Sequence, residues 1–177
     1  MDAITSLWRR LEVALSAHVP QAVAALQKGA SEATVRRLEA TLGGPLPEDL
    51  KASLLVHNGQ RPPYMSEVLF NNEYLLPCNQ IASTWAVRNE VADDLRGGEP
   101  SAGHTAEWWD PIFIPVTESD GSGFCVHRIT GAVYYHNNSD QMTGPLFENW
   151  STMLSDLATR VELGDFKLEH GSVWIAQ

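Results

Sequence analysis

The chain has 177 residues, of which 44% are hydrophobic and 19% charged, and its formal net charge is −10. A chain of this length buries about 70% of its unfolded surface, so we expect one domain over residues 1–177, with an N-terminal helical extension of about residues 1–28. The acidic balance argues against contact with nucleic acid or an anionic membrane, since both require a basic patch. It suits a basic protein partner, although acidity alone also keeps a protein in solution.

The expected compartment follows from features that the sequence lacks. No apolar run approaches the roughly 20 residues needed to cross a bilayer. The N-terminus has no basic segment followed by an apolar core, because charged residues interrupt it. Cys78 and Cys125 are too few for a disulfide framework and fit a reducing compartment better. We therefore expect a cytoplasmic protein.

Helical periodicity marks the start of the chain. A first helix is predicted over about residues 4–17, from an apolar stripe made by Ile4, Leu7, Trp8, Leu11 and Leu15. Pro20 breaks or restarts this helix, because proline cannot continue the backbone hydrogen bonding of a helix interior. Val23 and Leu26 continue an apolar face, and Gly29 closes it.

Residues 29–60 predict two further short helices. Ser31 is a candidate N-cap for the first, and Gly43-Gly44 ends it after a stripe of Val35, Leu38 and Leu42. Pro47 stands where the second helix should begin, since its fixed φ suits a first helical residue. A sharp turn at Asn58-Gly59 then ends the segment.

The rest of the chain mixes short strands with two longer helices. We predict strands at 68–70, 74–76 and 112–116, a turn at 120–123, and a hairpin of strands 124–129 and 132–137. Helices are predicted at about 79–96 and 148–163, with a surface loop at 97–104. The inward residues of the helix at 79–96 are expected to be Ile81, Trp85, Ala92 and Leu95. These elements predict an α+β fold, in which N-terminal helices and a C-terminal helix pack against a mixed or antiparallel sheet.

The hairpin contains the residues best suited to chemistry. If Thr130-Gly131 is a two-residue turn, Cys125 lies opposite His136, and His127 projects from the same face. A thiolate and two imidazoles in reach of each other are able to bind zinc or to form a Cys–His nucleophile pair. A buried cysteine with a hydrogen-bonded histidine is the more ordinary interpretation, since a fourth ligand is lacking.

The sequence lacks the common motifs of catalytic sites. The sequence has no serine nucleophile elbow, no HExxH and no GxGxxG that opens a helix after a strand. We therefore expect no enzymatic activity and no cofactor. Trp108 and Trp109 lie beside the acidic loop, where one is a candidate exposed binding anchor, although burial of both is the more ordinary expectation.

Three segments resemble the SUKH superfamily. They are residues 29–60, which end in His57-Asn58-Gly59-Gln60, then Trp109-Asp110-Pro111 through to Cys125, and the closing helix led by Phe147 and Trp150. The superfamily includes fungal regulators of glucan synthesis and cell-wall assembly and many bacterial immunity proteins. The leading helix with Trp8, Leu11 and Glu12 resembles the regulator-type branch in particular.

The resemblance implies a SUKH-like fold that binds proteins without catalysis. It implies, first, an immunity protein that neutralises a secreted or contact-delivered toxin, in many members a nuclease. A second hypothesis is a regulator or scaffold of cell-wall assembly or glucan synthesis. A third hypothesis is a small enzyme or metal-binding protein that uses Cys125, His127 and His136. From acidity and loop placement, the expected partner-facing residues are Asp93, Asp94, Glu99, Glu107, Trp108, Asp110, Glu118 and Asp120.

Overall fold

The computed structural model describes residues 3–61, 71–97, 108–138, 142–169 and 172–174. Within these residues there are six helices: α1 (Ala3–Ser16), α2 (Pro20–Ala24), α3 (Glu32–Thr41), α4 (Glu48–Val56), α5 (Cys78–Gly97) and α6 (Trp150–Leu163). The strands are β1 (Tyr74–Leu75), β2 (Phe113–Pro115), β3 (Thr117–Glu118), β4 (Gly123–His127), β5 (Val133–His136), β6 (Thr143–Phe147), β7 (Lys167–Glu169) and β8 (Ser172–Trp174). The α+β fold is confirmed. The strand predicted at 68–70 and residues 98–104 of the predicted loop lie outside the described residues.

The helices begin and end close to their predicted positions. The Ser31 hydroxyl accepts a hydrogen bond from Thr34 N at 3.2 Å, so Ser31 caps α3 as predicted. Pro20 starts α2, whereas Pro47 precedes the first residue of α4 by one position. Gly164 ends α6 with φ +72°, a left-handed conformation that glycine adopts without steric cost. Within the described ranges, no helix has both the length and the apolarity that a membrane span requires.

Antiparallel pairing joins the described strands. The largest sheet has the strand order β2–β4–β5–β6, while β1 pairs with β3 and β7 pairs with β8. The hairpin of β4 and β5 differs from its predicted register by two residues, because Cys125 lies opposite Tyr134 and not opposite His136. The turn is wider than predicted, since Gly131 N and Thr130 N both bond back to His127. A shift of two residues keeps every side chain on its predicted face.

The main core lies between one face of this sheet and the helices. The predicted stripes of α1 and α3 lie there, with Leu7 partly buried and the other members buried, and the apolar faces of α4 and α6 join them. Ile114, Phe124, Val126 and Val133 complete this core from the sheet. Burial of each large apolar side chain contributes about 1.5–3 kcal/mol. The stripe on α1 therefore makes the N-terminal helix part of this core.

A smaller buried cluster covers the opposite face of the sheet, beneath α5. Side chains alternate along β4, so Cys125 points into this cluster while its neighbours point into the main core. Trp108 and Trp109 belong to the cluster and are only 6% and 1% exposed. Trp108 was expected among the partner-facing residues, but its indole is packed inside the protein and donates to Asn138 O at 3.0 Å.

Candidate functional site

An open groove with a volume of about 480 Å³ separates α5 from the turn that joins β3 to β4. We call it the α5 groove. One wall is formed by Val87 and Val91 of α5, and the other by Glu118 and Gly121 of the turn. Its volume lies within the range of about 300–1,000 Å³ that is typical of ligand-binding clefts. It is therefore the first candidate for a binding site.

The outer face of α5 supplies an apolar wall. Ile81, Arg88 and Ala92 are buried, whereas Val87 is 58% exposed and Val91 is 37% exposed. Residues four apart lie on the same side of a helix, so the two valines form one continuous apolar strip. A large exposed apolar side chain is common singly, but a paired strip that lines a concave surface points to a contact site.

Arg88 connects α5 to the floor of the groove. Its Nη2 donates to Glu118 Oε2 and to Gly121 O, each at 2.9 Å, and its Nη1 lies 3.5 Å from Cys125 Sγ. Its guanidinium also lies over Trp109, 4.9 Å from the ring centroid. Because Arg88 is 4% exposed, this ion pair is largely shielded from water. The arginine fixes the position of the acidic turn relative to the helix.

The turn itself is rigidly held. Glu118 Oε1 accepts a hydrogen bond from Gly121 N at 2.6 Å, and Asn138 N donates to Ser122 Oγ at 3.1 Å. Asp120 has φ +48°, a conformation that aspartate adopts more readily than most residues, and it is exposed at the tip. Burial raises the pKa of Glu118, an effect that the charge of Arg88 opposes. The turn predicted at 120–123 is thus confirmed.

The predicted partner-facing residues occupy different environments. Asp93 and Asp94 are exposed on the second half of α5, where Asp93 pairs with Arg96 at 2.9 Å. Asp110 is exposed and accepts a hydrogen bond from Ile112 N at 2.8 Å, which orders the start of β2. Glu99 and Glu107 lie outside the described residues.

Glu118, Asp120 and the buried Trp108 are the members of the predicted set that meet at the α5 groove. Glu118 and Trp108 line it, and Asp120 stands at the tip of the adjoining turn. The side chain of Glu118 is 15% exposed, so it faces the groove without being a free surface carboxylate. Loop placement in the sequence suggested both acids as partner-facing residues, but no local pattern indicated the ion pair between Arg88 and Glu118.

The three residues suspected of reactive chemistry share one face of the sheet, and each makes different contacts there. Burial raises the pKa of the Cys125 thiol to about 12, so the thiol stays protonated at neutral pH. His127 Nδ1 accepts from Thr130 N at 3.2 Å, while the His136 ring packs edge-on against Trp108 and Trp109. Across the described ranges, no group of three or more His, Cys, Asp or Glu side chains is placed to hold a metal ion. As placed here, these three residues are not arranged as a zinc site.

The His57-Asn58-Gly59-Gln60 segment is a structural junction. The His57 ring contacts Glu12 Oε1 at 2.7 Å and Gln27 O at 3.0 Å, which ties α1 to the segment after α2. Asn58 Oδ1 accepts from Cys78 N at 2.9 Å, and so caps the start of α5. Gln60 exchanges hydrogen bonds with Leu75 of β1. The segment sets the start of the helix that forms one wall of the groove.

A buried carboxylic acid that the sequence did not reveal lies next to β1. Glu73 is 2% exposed and accepts hydrogen bonds from the hydroxyl groups of Thr117 and Tyr135. Burial raises its pKa to about 7, although both hydrogen bonds favour the charged form. Thr117 in turn accepts from Phe124 N at 2.7 Å. Glu73 thus links the start of β1 to β3 and β5.

Two comparisons with known proteins bear on this site. A protein-family model described as the SMI1 / KNR4 family (SUKH-1) matches residues 29–156. F-box only protein 3 from Mus musculus is 35% identical over 75 residues, and the Homo sapiens protein is 33% identical over 75 residues. Each of these matches covers 41% of this chain and 16% of the F-box protein. The family match includes every described residue of the α5 groove, whereas α1 and α2 precede it.

Proposed function

Because the chain belongs to the SMI1 / KNR4 family (SUKH-1), we propose that it is a cytoplasmic immunity protein that binds and neutralises a basic toxin domain. Family membership supports a protein-binding role in general. The more specific proposal depends on the charge of the molecule and on the α5 groove. Its action is occlusion of the toxin by contact, without bond-making chemistry.

The observation that carries the proposal is the combination of apolar and acidic surface around the groove. The valine strip offers an apolar contact, and the rigid turn beside it carries Glu118 and Asp120. A small apolar centre with a charged rim is the usual anatomy of a protein interface. The formal net charge of −10 favours fast encounter with a basic partner, since complementary charge raises association rates.

The state of the candidate catalytic groups supports binding over catalysis. Cys125 is a protonated, buried thiol, and Glu118 is held in an ion pair with Arg88. Glu73 has a pKa near neutrality but is enclosed between strands, where a substrate has no access. A general base must lie within hydrogen-bond reach of the proton it removes. None of these three groups is both exposed and free to act on a substrate.

A regulator of cell-wall assembly is the second candidate, favoured by α1. The helix that resembles the regulator-type branch packs Trp8 and Leu11 into the main core and places Glu12 against His57. The two candidates differ in the partner that the protein binds. Each still requires a protein-binding surface, so the identity of the partner separates them.

The test begins with capture of partners from the native host and with co-expression against neighbouring toxin genes. An immunity protein is expected to protect the cell and to bind a basic toxin domain tightly. The variant Asp93→Lys, Asp94→Lys, Asp120→Lys should slow association by about tenfold or more, with most of the loss at low salt. A triple control with the same change of charge combines Glu148→Lys, Asp156→Lys and Asp165→Lys, away from the groove.

Two outcomes would contradict the proposal. One is a failure to protect against any neighbouring toxin gene product. The other is a tight partner that belongs to the cell-wall machinery, which would support the second candidate. Equal slowing by the two triple variants would show that total charge alone drives encounter, and the acidic surface of α5 and its adjoining turn would lose its place in the proposal.

A further inference from the structure

We propose that the α5 groove receives one cationic side chain, a lysine or an arginine, from the partner protein. The aliphatic stem of that side chain lies along Val87 and Val91, and its charged head reaches the Glu118 carboxylate. This inference rests on the proposed function and specifies the chemistry of the partner at the same site.

The valine strip fits the stem of such a side chain. Val87 and Val91 lie one helical turn apart and face the groove with 58% and 37% of their surface exposed. Lysine and arginine cover apolar surface with their methylene groups while the charged end stays in a polar environment. A purely apolar side chain would bury the valines equally well but would leave the remaining hydrogen-bond capacity of the Glu118 carboxylate unused.

The acidic wall of the groove suits the charged end of a lysine or arginine side chain. The Glu118 carboxylate lines the groove, and its two oxygens already accept from Arg88 and from Gly121 N. Each carboxylate oxygen has capacity for a second hydrogen bond. Asp120 is exposed at the tip of the same turn, so the turn as a whole carries two carboxylates against the one charge of Arg88. The local excess of negative charge favours a cation in the groove.

The volume of the groove suits a small group. About 480 Å³ is enough room for one or two side chains. Glu118 is 15% exposed, and a partly buried charge interacts more strongly than a charge on an open surface. A single buried cation is the kind of contact that accounts for a large share of interface affinity.

A second groove on the same molecule provides an internal control. It has a volume of about 450 Å³ and is lined by Arg9, Arg10 and the exposed Val13 of α1, with Glu162 of α6. We call it the α1 groove. It also offers an exposed valine, but its lining holds two arginines against one glutamate, whereas the lining of the α5 groove holds Arg88 against Glu118, with Asp120 on the adjoining turn. A cationic side chain should therefore select the α5 groove and avoid the α1 groove.

The experiment titrates the isotope-labelled full chain with three short peptides and follows amide and indole chemical shifts. The probes are acetyl-glycyl-arginyl-glycinamide, its lysine counterpart and its citrulline counterpart, which keeps the size of arginine without the charge. The arginine and lysine probes should shift the signals of Val87, Val91, Gly121 and the Trp108 indole. The citrulline probe should bind at least about tenfold more weakly, a loss of about 1.4 kcal/mol in binding free energy.

Matched variants test whether the cationic side chain binds in the α5 groove. Val91→Lys places a cation in the groove and should abolish the shifts, whereas Val13→Lys makes the same substitution on an exposed helix face and should leave them unchanged. Val87→Lys serves as an independent repeat, so the result does not depend on the folding of one variant. Equal binding of citrulline, shifts spread over exposed carboxylates, or shifts in the α1 groove would each overturn the inference.

The two proposals fail in distinguishable ways. If a captured toxin still binds Val91→Lys with unchanged affinity, the groove does not receive its side chain, and the immunity proposal stands. If the cationic probes fill the groove but no basic protein partner binds, the immunity proposal fails and the groove has another occupant. Loss of toxin binding by Val91→Lys, with full binding by Val13→Lys, supports both.

Discussion

Trp8 and Trp150 donate their indole N–H groups to the same hydroxyl, that of Ser53, at distances of 2.8 and 3.0 Å. Ser53 lies on α4, so this one oxygen joins α1, α4 and α6 inside the main core. All three side chains are buried, with Ser53 4% exposed and each indole 1% exposed. The first helix precedes the region of the family match, yet its tryptophan shares an acceptor with the closing helix.

Ser53→Ala is expected to lower the free energy of unfolding by about 2–4 kcal/mol, because both buried indole N–H groups lose their acceptor. Urea denaturation followed by circular dichroism measures this change. Ser83→Ala, on the exposed face of α5, should stay within about 0.5 kcal/mol of the wild type. A loss below about 0.5 kcal/mol for Ser53→Ala would mean that both tryptophans find another acceptor.

Glu73 should make the protein less stable as the pH rises toward neutrality. Burial raises its folded pKa to about 7 from an ordinary value of 4.5, so the folded state binds the proton more tightly than the unfolded state. Its stabilising contribution is complete below about pH 4.5 and is lost as the pH rises through about 7, amounting to about 3 kcal/mol. Denaturation midpoints across this range measure the effect.

Glu73→Gln tests the assignment of that pH dependence, because glutamine does not titrate. The variant should flatten the pH profile of stability between about pH 4.5 and 7, whatever its absolute stability. Glu90→Gln removes an exposed carboxylate from α5 and should keep the slope of the wild type. An unchanged slope in Glu73→Gln would assign the pH dependence to other groups, Glu118 among them.

Arg88→Met should destabilise the protein by about 3–5 kcal/mol, because it leaves the Glu118 carboxylate partly buried without its cation. Arg88→Lys should recover only part of the loss, since an ammonium group cannot reach Glu118, Gly121 O and Cys125 Sγ together as the guanidinium does. Arg160→Met breaks a partly exposed pair with Asp156 and should cost less than about 1 kcal/mol. Similar losses for Arg88→Met and Arg160→Met, measured by urea denaturation, would refute a structural role for Arg88.

The two thiols should be inert in the folded protein. Burial raises the pKa of Cys78 to about 11 and that of Cys125 to about 12, and both residues are free cysteines. A thiol-reactive dye at about pH 8 should therefore label neither residue until urea is added, since the thiolate is the reactive form. Rapid labelling of Cys125 in the native protein would revive the nucleophile interpretation.

Periodicity was sufficient to predict the helices. The stripe from Ile4 to Leu15 and the closing stripe around Trp150 and Leu154 are buried, because a side chain every three or four residues must face one side of a helix. The hairpin register was not available from the pattern. A shift of two residues leaves the same side chains inside, so alternation does not distinguish Tyr134 from His136 opposite Cys125.

Buried polar pairs escaped prediction for another reason. Arg88 and Glu118 come from separate elements and meet only after α5 packs over the turn. An arginine at a helical position seven residues after Ile81 was the one local signal, since that spacing returns to the inward face. Glu73 had no local signal, because its partners Thr117 and Tyr135 lie far along the chain. Long-range pairing of this kind depends on topology.

Val87 and Val91 lie outside both buried clusters, and Asp120 stands at the exposed tip of its turn. Substitutions at the two valines would alter the proposed contact surface at little cost to folding, since surface changes away from packed contacts are usually small in energy, whereas the positive φ of Asp120 restricts what replaces it. If the α5 groove binds the partner as proposed, sequence change at these valines would alter partner choice while the scaffold is preserved. Gene duplicates of this protein would be expected to diverge first along these walls and last at Ser53.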